Sequence, residues 1–269
     1  MTAAHTAANL GFDPGAVALV TGAAGGIGSA TARRYAAAGV GVALVDVHAG
    51  VDDLERSLRE EYPDVAVSAH VADIGDERAV RDLHEAVRSR HGRLDHLALV
   101  AGTLQQATSV ENLSLDEWER VFRVNLTGPF LLSRELCPTL RKAPGGTVVA
   151  VSSWWGRSGH PLFSAYCTSK AALIVFTQAL AAELAPTVRA NTVCPGNIDT
   201  AMHRTALETE ARERGVSFEE MRTIEWDKIP MKIAGSPTSI ADAVLWLSST
   251  ASSYVTGASI DVNGGVLFH

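Results

Sequence analysis

Cysteine is scarce in this chain of 269 residues: there are three, Cys137, Cys167 and Cys194, with no CxxC pair among them. An odd, scattered set excludes a disulfide framework and reads as buried thiols in a reducing compartment. The nine histidines form no HxxxH or HExxH pattern, and none lies near a cysteine at zinc-ligand spacing, so no metal site is expected. No apolar run approaches the ~18 residues that a bilayer-spanning helix needs. Basic residues do not dominate either: 23 Lys+Arg stand against 30 Asp+Glu, a net charge of −7. That balance argues against binding to nucleic acid through phosphate contacts. The N-terminal MTAAHTAANLGFDPG lacks the basic patch and apolar stretch of a signal peptide. Residues 1–13 read as a flexible tail on a cytoplasmic protein. No Ser/Gly-rich linker divides the chain and no internal repeat appears, so residues 14–269 are expected to form one domain.

What is present is a rhythm. Short, nearly continuous apolar runs occur at 16–21, 41–47, 65–71, 94–100, 146–152, 188–194 and 258–262, separated by longer amphipathic stretches. Strands apolar on both faces belong to a sheet covered on both sides, hence parallel. The β-α-β-α alternation predicts an α/β fold: one doubly wound, Rossmann-type domain with a seven-stranded parallel sheet. Ser114 with Glu117 forms a capping box, and Ser236 with Pro237 a second helix start. Residues 201–235 break the rhythm. They are charged, read as irregular, and are too long for an ordinary connection, so they are expected to form a substrate flap.

Behind the first strand runs Thr21-Gly22-Ala23-Ala24-Gly25-Gly26-Ile27-Gly28. Glycine here allows a tight turn and close approach of backbone to a ligand, and the following helix would aim free amides at a pyrophosphate. The strand before and the helix after supply the context this motif needs. Asp46 ends the second strand, 18 residues after Gly28. An acid there suits the adenosine ribose hydroxyls and repels a 2′-phosphate. No Arg or Lys lies in the turn or directly after Asp46, so NAD is favoured over NADP.

Tyr166 and Lys170 are spaced i, i+4 and share one helix face. A free tyrosine titrates near ~10 and is a poor base at neutral pH; an adjacent ammonium and a positively charged nicotinamide would favour the phenolate. YxxxK alone is a weak signal. Ser153 adds to it, 13 residues earlier and directly after an apolar strand. In order along the chain stand a TGxxxGxG turn, an SSxxG segment, a YxxSK helix and a PGxxxT segment. With these the chain resembles the short-chain dehydrogenase/reductase family, from about residue 14 to residue 265.

The resemblance implies Tyr166 as general acid/base, Lys170 as the group that lowers its pKa and holds the nicotinamide ribose, and Ser153 as partner of the reacting oxygen. Asn125 matches a helix asparagine that holds a relay water beside Lys170. For the cofactor it implies Gly22, Gly26, Ile27 and Gly28 at the pyrophosphate, Asp46 at the ribose and Asp73 near the adenine. Ala101 and Gly102 make a close backbone approach. Pro195, Gly196, Ile198 and Thr200 position the nicotinamide amide. One departure is visible: Leu99-Val100-Ala101-Gly102 replaces the family's Asn-Asn-Ala-Gly, removing two bracing amides. Substrate contacts are expected from Gln105, Trp154, Trp155, His160, Met202 and Trp226, a set that suits a cyclic or aromatic alcohol. The flap arginines alternate with glutamates and read as a solvated helix face. Family geometry, with small residues Ala171, Ala172, Ala179 and Ala182 on the tyrosine helix, implies a homotetramer. The expected activity is NAD-dependent hydride transfer between nicotinamide and a secondary alcohol or ketone. The rivals are a biosynthetic ketoreductase driven by NADH or NADPH, and a non-catalytic cofactor-sensing module.

Overall fold

A computed structural model describes residues 10–268. Among the described residues seven strands are joined by helices: β1 (Val17–Thr21), α1 (Gly26–Ala37), β2 (Gly41–Asp46), α2 (Val51–Glu61), β3 (Val67–Val71), α3 (Glu77–His91) and β4 (His96–Leu99) form the first half. The second half holds α4 (Leu115–Phe122), α5 (Gly128–Leu140), β5 (Gly146–Val151), α6 (Ser164–Leu184), β6 (Val188–Pro195), α7 (Ala201–Arg214), α8 (Phe218–Asp227), α9 (Pro237–Ser248) and β7 (Ser259–Val262). All pairings are parallel and the strand order is β3-β2-β1-β4-β5-β6-β7. The order reverses between β1 and β4, and a crevice opens beyond the carboxyl ends of the strands at such a switch point. The doubly wound α/β expectation is met, and each expected strand is found to within two residues.

The central strands β1, β2, β4 and β5 are buried along their whole length. Their side chains divide between two cores, one on each face of the sheet. One face packs Leu19, Leu97 and Val148 against α3, α5 and α6. The other packs Val20, Leu44 and Val149 against α1, α2 and α9. Parallel strands need this double cover, which is why the apolar runs are continuous rather than alternating.

Two expectations change. Residues 10–13, expected to belong to the tail, are docked: Leu10 accepts a hydrogen bond from Thr250, Phe12 packs edge-on against Tyr35 and His96, and Asp13 pairs with Arg93. Residues 1–9 lie outside the described part. The flap is helical rather than irregular. Thr200 caps α7 and Ser217 caps α8, accepting from Glu220 N–H as a capping box does. Leu207, Ala211 and Met221 bury a small core of their own between the two helices, with Phe218 and Ile224 packed on it.

Candidate active site

A tight turn opens the site. Gly22 has φ +65°, and a Cβ on it would sit 2.8 Å from Ala101 Cα; a Cβ on Gly28 would sit 2.0 Å from Gly22 O. Only glycine closes this turn against the segment after β4. The cap residue of α1, Gly25, offers no side-chain cap, leaving the first-turn amides of the helix for a ligand. Asp46 is 9 % exposed, and its two carboxylate oxygens accept from Ala24 N–H and His48 N–H, each at 3.0 Å. These amides hold the acid beside the glycine turn. Asp73 accepts from Gly75 N–H at 2.8 Å and pairs with Arg123 at 2.6 Å. The cap of α3 is Asp76 instead.

The segment at positions 99–101 is tied to β1 through its backbone. Thr21 Oγ1 accepts from Val100 N–H at 3.0 Å and Ala101 N–H at 3.1 Å, and donates to Ala98 O. The segment after β4 stays pinned to β1 without an asparagine.

Next to it lies a cavity of about 210 Å³ whose wall includes Ser153, Tyr166 and Lys170. Gly102, Ile27, Pro195, Gly196, Ile198 and Thr200 reach the same space, as do Trp154, Trp155 and Met202. The other large depression, about 570 Å³ and open, lies beside Trp118 and Phe122 and contains none of these groups. The two adjacent serines separate cleanly. Ser152 Oγ donates to Lys170 O at 2.8 Å and locks β5 to α6. Ser153 Oγ accepts from Trp155 N–H at 3.1 Å and stands at the Tyr166 phenol. Lys170 is 3 % exposed, and its Nζ donates to Val151 O at 3.0 Å.

Asn125 falls in a π-helical turn, Arg123–Thr127, between α4 and α5, and is fully buried. Such wide turns recur at functional sites. Its Oδ1 accepts from Thr103 N–H at 2.8 Å; its Nδ2 donates to Thr103 O and to Ser169 Oγ, each at 3.0 Å. A Cβ on Gly102 would meet Lys170 Nζ at 3.1 Å and Asn125 Oδ1 at 3.4 Å, which places these two side chains together across the glycine.

The electrostatics differ from expectation in one respect. Burial pushes Tyr166 up to about 12, opposed by Ser153. Burial also pushes Lys170 down to about 8. With Nζ 5.9 Å from the ring centroid and itself short of solvation, the lysine does not overcome the desolvation of the phenol. A further positive charge or hydrogen-bond donor at the phenol would lower it.

Three expected substrate residues are placed elsewhere. Gln105 is 2 % exposed, and its carboxamide is spent on backbone groups of the segment that leads into α6. His160 stacks on Trp155 at 4.6 Å and meets Trp154 edge-on, backing the aromatic wall instead of facing the cavity. Trp226 lies under the Arg222 guanidinium at 4.8 Å, within the flap and off the cavity wall. Missed in exchange were His203 and Ala206, which line the cavity from α7. Ala206 stands four residues after Met202 and three after His203, a spacing that is legible once residues 201–214 are known to be helical.

Residues 22–267 match the family model described as enoyl-(acyl carrier protein) reductase. The chain belongs to the short-chain dehydrogenase/reductase family. Within it, the 3-oxoacyl-(acyl-carrier-protein) reductase of Thermotoga maritima is 35 % identical over 255 residues, covering 94 % of this chain and 98 % of that one. The 2,3-dihydro-2,3-dihydroxybenzoate dehydrogenase of Bacillus subtilis is 34 % identical, with coverage of 93 % and 95 %. Among solved structures, an NAD⁺-bound xylitol dehydrogenase superposes with a TM-score of 0.86 at 30 % identity, with coverage of 93 % and 98 %. This short-chain dehydrogenase/reductase is therefore an oxidoreductase of alcohols or ketones that works with a nicotinamide cofactor.

Proposed function

We propose that this chain is an NAD(H)-dependent oxidoreductase that interconverts a secondary alcohol and its ketone on a ring substrate. The observation that carries the reading is the convergence of Ser153, Tyr166 and Lys170 on one cavity beside the glycine turn. Tyr166 takes the hydroxyl proton in oxidation and returns it in reduction. Ser153 donates to the substrate oxygen and fixes it at the phenol. Lys170 and Asn125 stand behind Tyr166 and hold the route by which its proton is exchanged. Proton transfer of this kind contributes roughly 10²–10⁴-fold.

The residues fit a dinucleotide. Gly22, Gly26, Ile27 and Gly28 would hold the pyrophosphate, Asp46 the ribose hydroxyls and Asp73 the adenine side. Ala101 and Gly102 would pass close to the nucleotide. Tyr166 and Lys170 would hold the second ribose, and Pro195, Gly196, Ile198 and Thr200 the carboxamide. When bound, NAD supplies the hydride acceptor and a second positive charge that adds to the Lys170 ammonium in favouring the phenolate. The buried Asp46 carboxylate, with no cation beside it in the turn, supports NAD over NADP.

Trp154, Trp155 and Met202 give an apolar wall, and burial lowers the pKa of His203, keeping it neutral. The aromatic and thioether side chains of this wall suit the apolar face of a ring. A relative that acts on a dihydroxy ring acid supports the same substrate class. The test is NADH absorbance against a panel of ring alcohols and ketones, with Tyr166→Phe as control. Tyr166→Phe is expected to lose at least ~10²-fold in kcat while still binding NAD. Near-normal turnover in that variant refutes the assignment.

A second reading, a ketoreductase of carrier-bound 3-oxoacyl chains, is favoured by the 35 % identity to such a reductase. Faster turnover of an acetoacetyl thioester than of any ring ketone selects it. For assembly we propose a homotetramer. On α6, Val175 is 63 % exposed, and Ala179 and Ala182 continue that exposed face at helical spacing. A monomer in light scattering removes that claim.

A further inference from the structure

Helix α6 carries both Tyr166 and Lys170, yet its cap residue Phe163 makes no side-chain cap. The first-turn amides of a helix need acceptors, and buried ones do not go without. Here the acceptor comes from a residue 60 positions earlier. Gln105 Oε1 accepts from Ala165 N–H at 2.8 Å and from Tyr166 N–H at 3.3 Å. Its Nε2 donates to Leu162 O at 2.9 Å and to Thr108 O at 3.4 Å. The orientation of the carboxamide is unambiguous, since two amides face one end and two carbonyls the other.

Gln105 itself is held on a fixed base. Its loop is tied to α4: Gln106 N–H donates to Glu117, and Arg120 donates to Thr103 Oγ1 and Leu104 O. Both backbone groups of Thr103 are bonded to Asn125. The same Asn125 donates to Ser169 Oγ, and Ser169 Oγ donates to Tyr166 O at 2.8 Å. Tyr166 is thus gripped at both ends of its own backbone unit, the N–H by Gln105 and the C=O by Ser169. Both grips lead back to Thr103 and Asn125. Leu162, with φ +69°, is held in the left-handed region by the same carboxamide and by Thr108 N–H. A leucine there needs outside support.

We infer that Gln105 is a positioning residue for Tyr166: its buried carboxamide caps α6 from the loop after β4 and sets where the phenol stands relative to Ser153. This inference rests on the role proposed for Tyr166. The phenol is useful only within hydrogen-bond reach of Ser153 and the substrate oxygen, and misplacement by about 1 Å costs of the order of 10²-fold in rate.

Gln105→Leu, of similar bulk, removes all four hydrogen bonds and leaves the cavity wall intact. In the full-length protein two results are expected together. Hydrogen exchange of the Ala165 and Tyr166 amides accelerates at least tenfold while that of β5 is unchanged. The kcat falls about 10- to 100-fold, with the acid limb of its pH profile moved to higher pH as the phenol leaves Ser153. A loss of folded protein lowers apparent kcat but shifts no pH limb. Unchanged exchange at these two amides, or an unmoved pH profile, overturns the inference. If Gln105→Leu does not fold, Gln105→Asn carries the same expectations, because the same group on a shorter side chain cannot reach both loops. The exchange measurement needs no substrate and stands apart from the alcohol–ketone reading. Activity that vanishes in Tyr166→Phe but survives in Gln105→Leu sinks the positioning role alone.

Discussion

Replacing Lys170 by methionine is expected to make the protein more stable while it destroys activity. Lys170 is 3 % exposed, and burial brings its pKa from 10.5 down to about 8. The unfolded chain therefore binds more protons than the folded one between pH 8 and 10.5, and stability rises with pH across that window. Below pH 8 the full cost of the buried ammonium is present, about 3 kcal/mol. Methionine has nearly the same length and no charge. It forfeits the hydrogen bond to Val151 O, about 1 kcal/mol, so the net gain at pH 7 is about 2 kcal/mol. The assay is equilibrium urea unfolding of both proteins, without added nucleotide, at pH 7, 8, 9 and 10. Other groups titrate in both and cancel in the difference. The gap should be widest at pH 7 and shrink steadily toward pH 10. A variant no more stable than wild type at pH 7, or a gap that ignores pH, refutes the reasoning.

Asp46→Ser and Asp46→Arg should raise the NADP-to-NAD ratio of kcat/KM, the arginine more strongly; an unchanged ratio ends the assignment of Asp46 to the ribose. Gly28→Ala places a methyl 2.0 Å from Gly22 O and should weaken NADH binding more than tenfold in a fluorescence titration. Burial pushes His96 down to about 4 against an ordinary 6.5. The unfolded state then binds the extra proton between these values, so stability falls as pH drops from 6.5 toward 4, and His96→Gln should flatten that slope in urea midpoints.

The sheet was legible because its signal is local. A parallel strand covered on both faces is apolar at every position, and β1, β2, β4 and β5 needed no partner to be seen. The glycine turn and Asp46 were legible for the same reason, being fixed by spacing along one βαβ unit. The flap helices were not, since their buried face amounts to three residues amid charged ones. The Ser217-Glu220 cap was present but lay inside a stretch already read as irregular. Gln105 shows a harder limit. A glutamine near a cavity looks the same whether its amide meets a ligand or a backbone, and the amides that claim it are 60 residues away. The raised Tyr166 pKa depends on burial, which YxxxK spacing does not carry. Likewise, nothing near Leu99-Val100 reveals that Thr21 ties this segment to β1.

The small core inside the flap bears on how such an enzyme can change. Leu207, Ala211 and Met221 pack on one another, separate from the two cores that flank the sheet. Substitutions at sites without shared partners add nearly independently. The packing between α7 and α8, at Leu207, Ala211 and Met221, can therefore be exchanged with little penalty passed to the two cores that hold the sheet. Selection can reshape this helical pair from within while the sheet that carries the glycine turn and Asp46 is inherited intact.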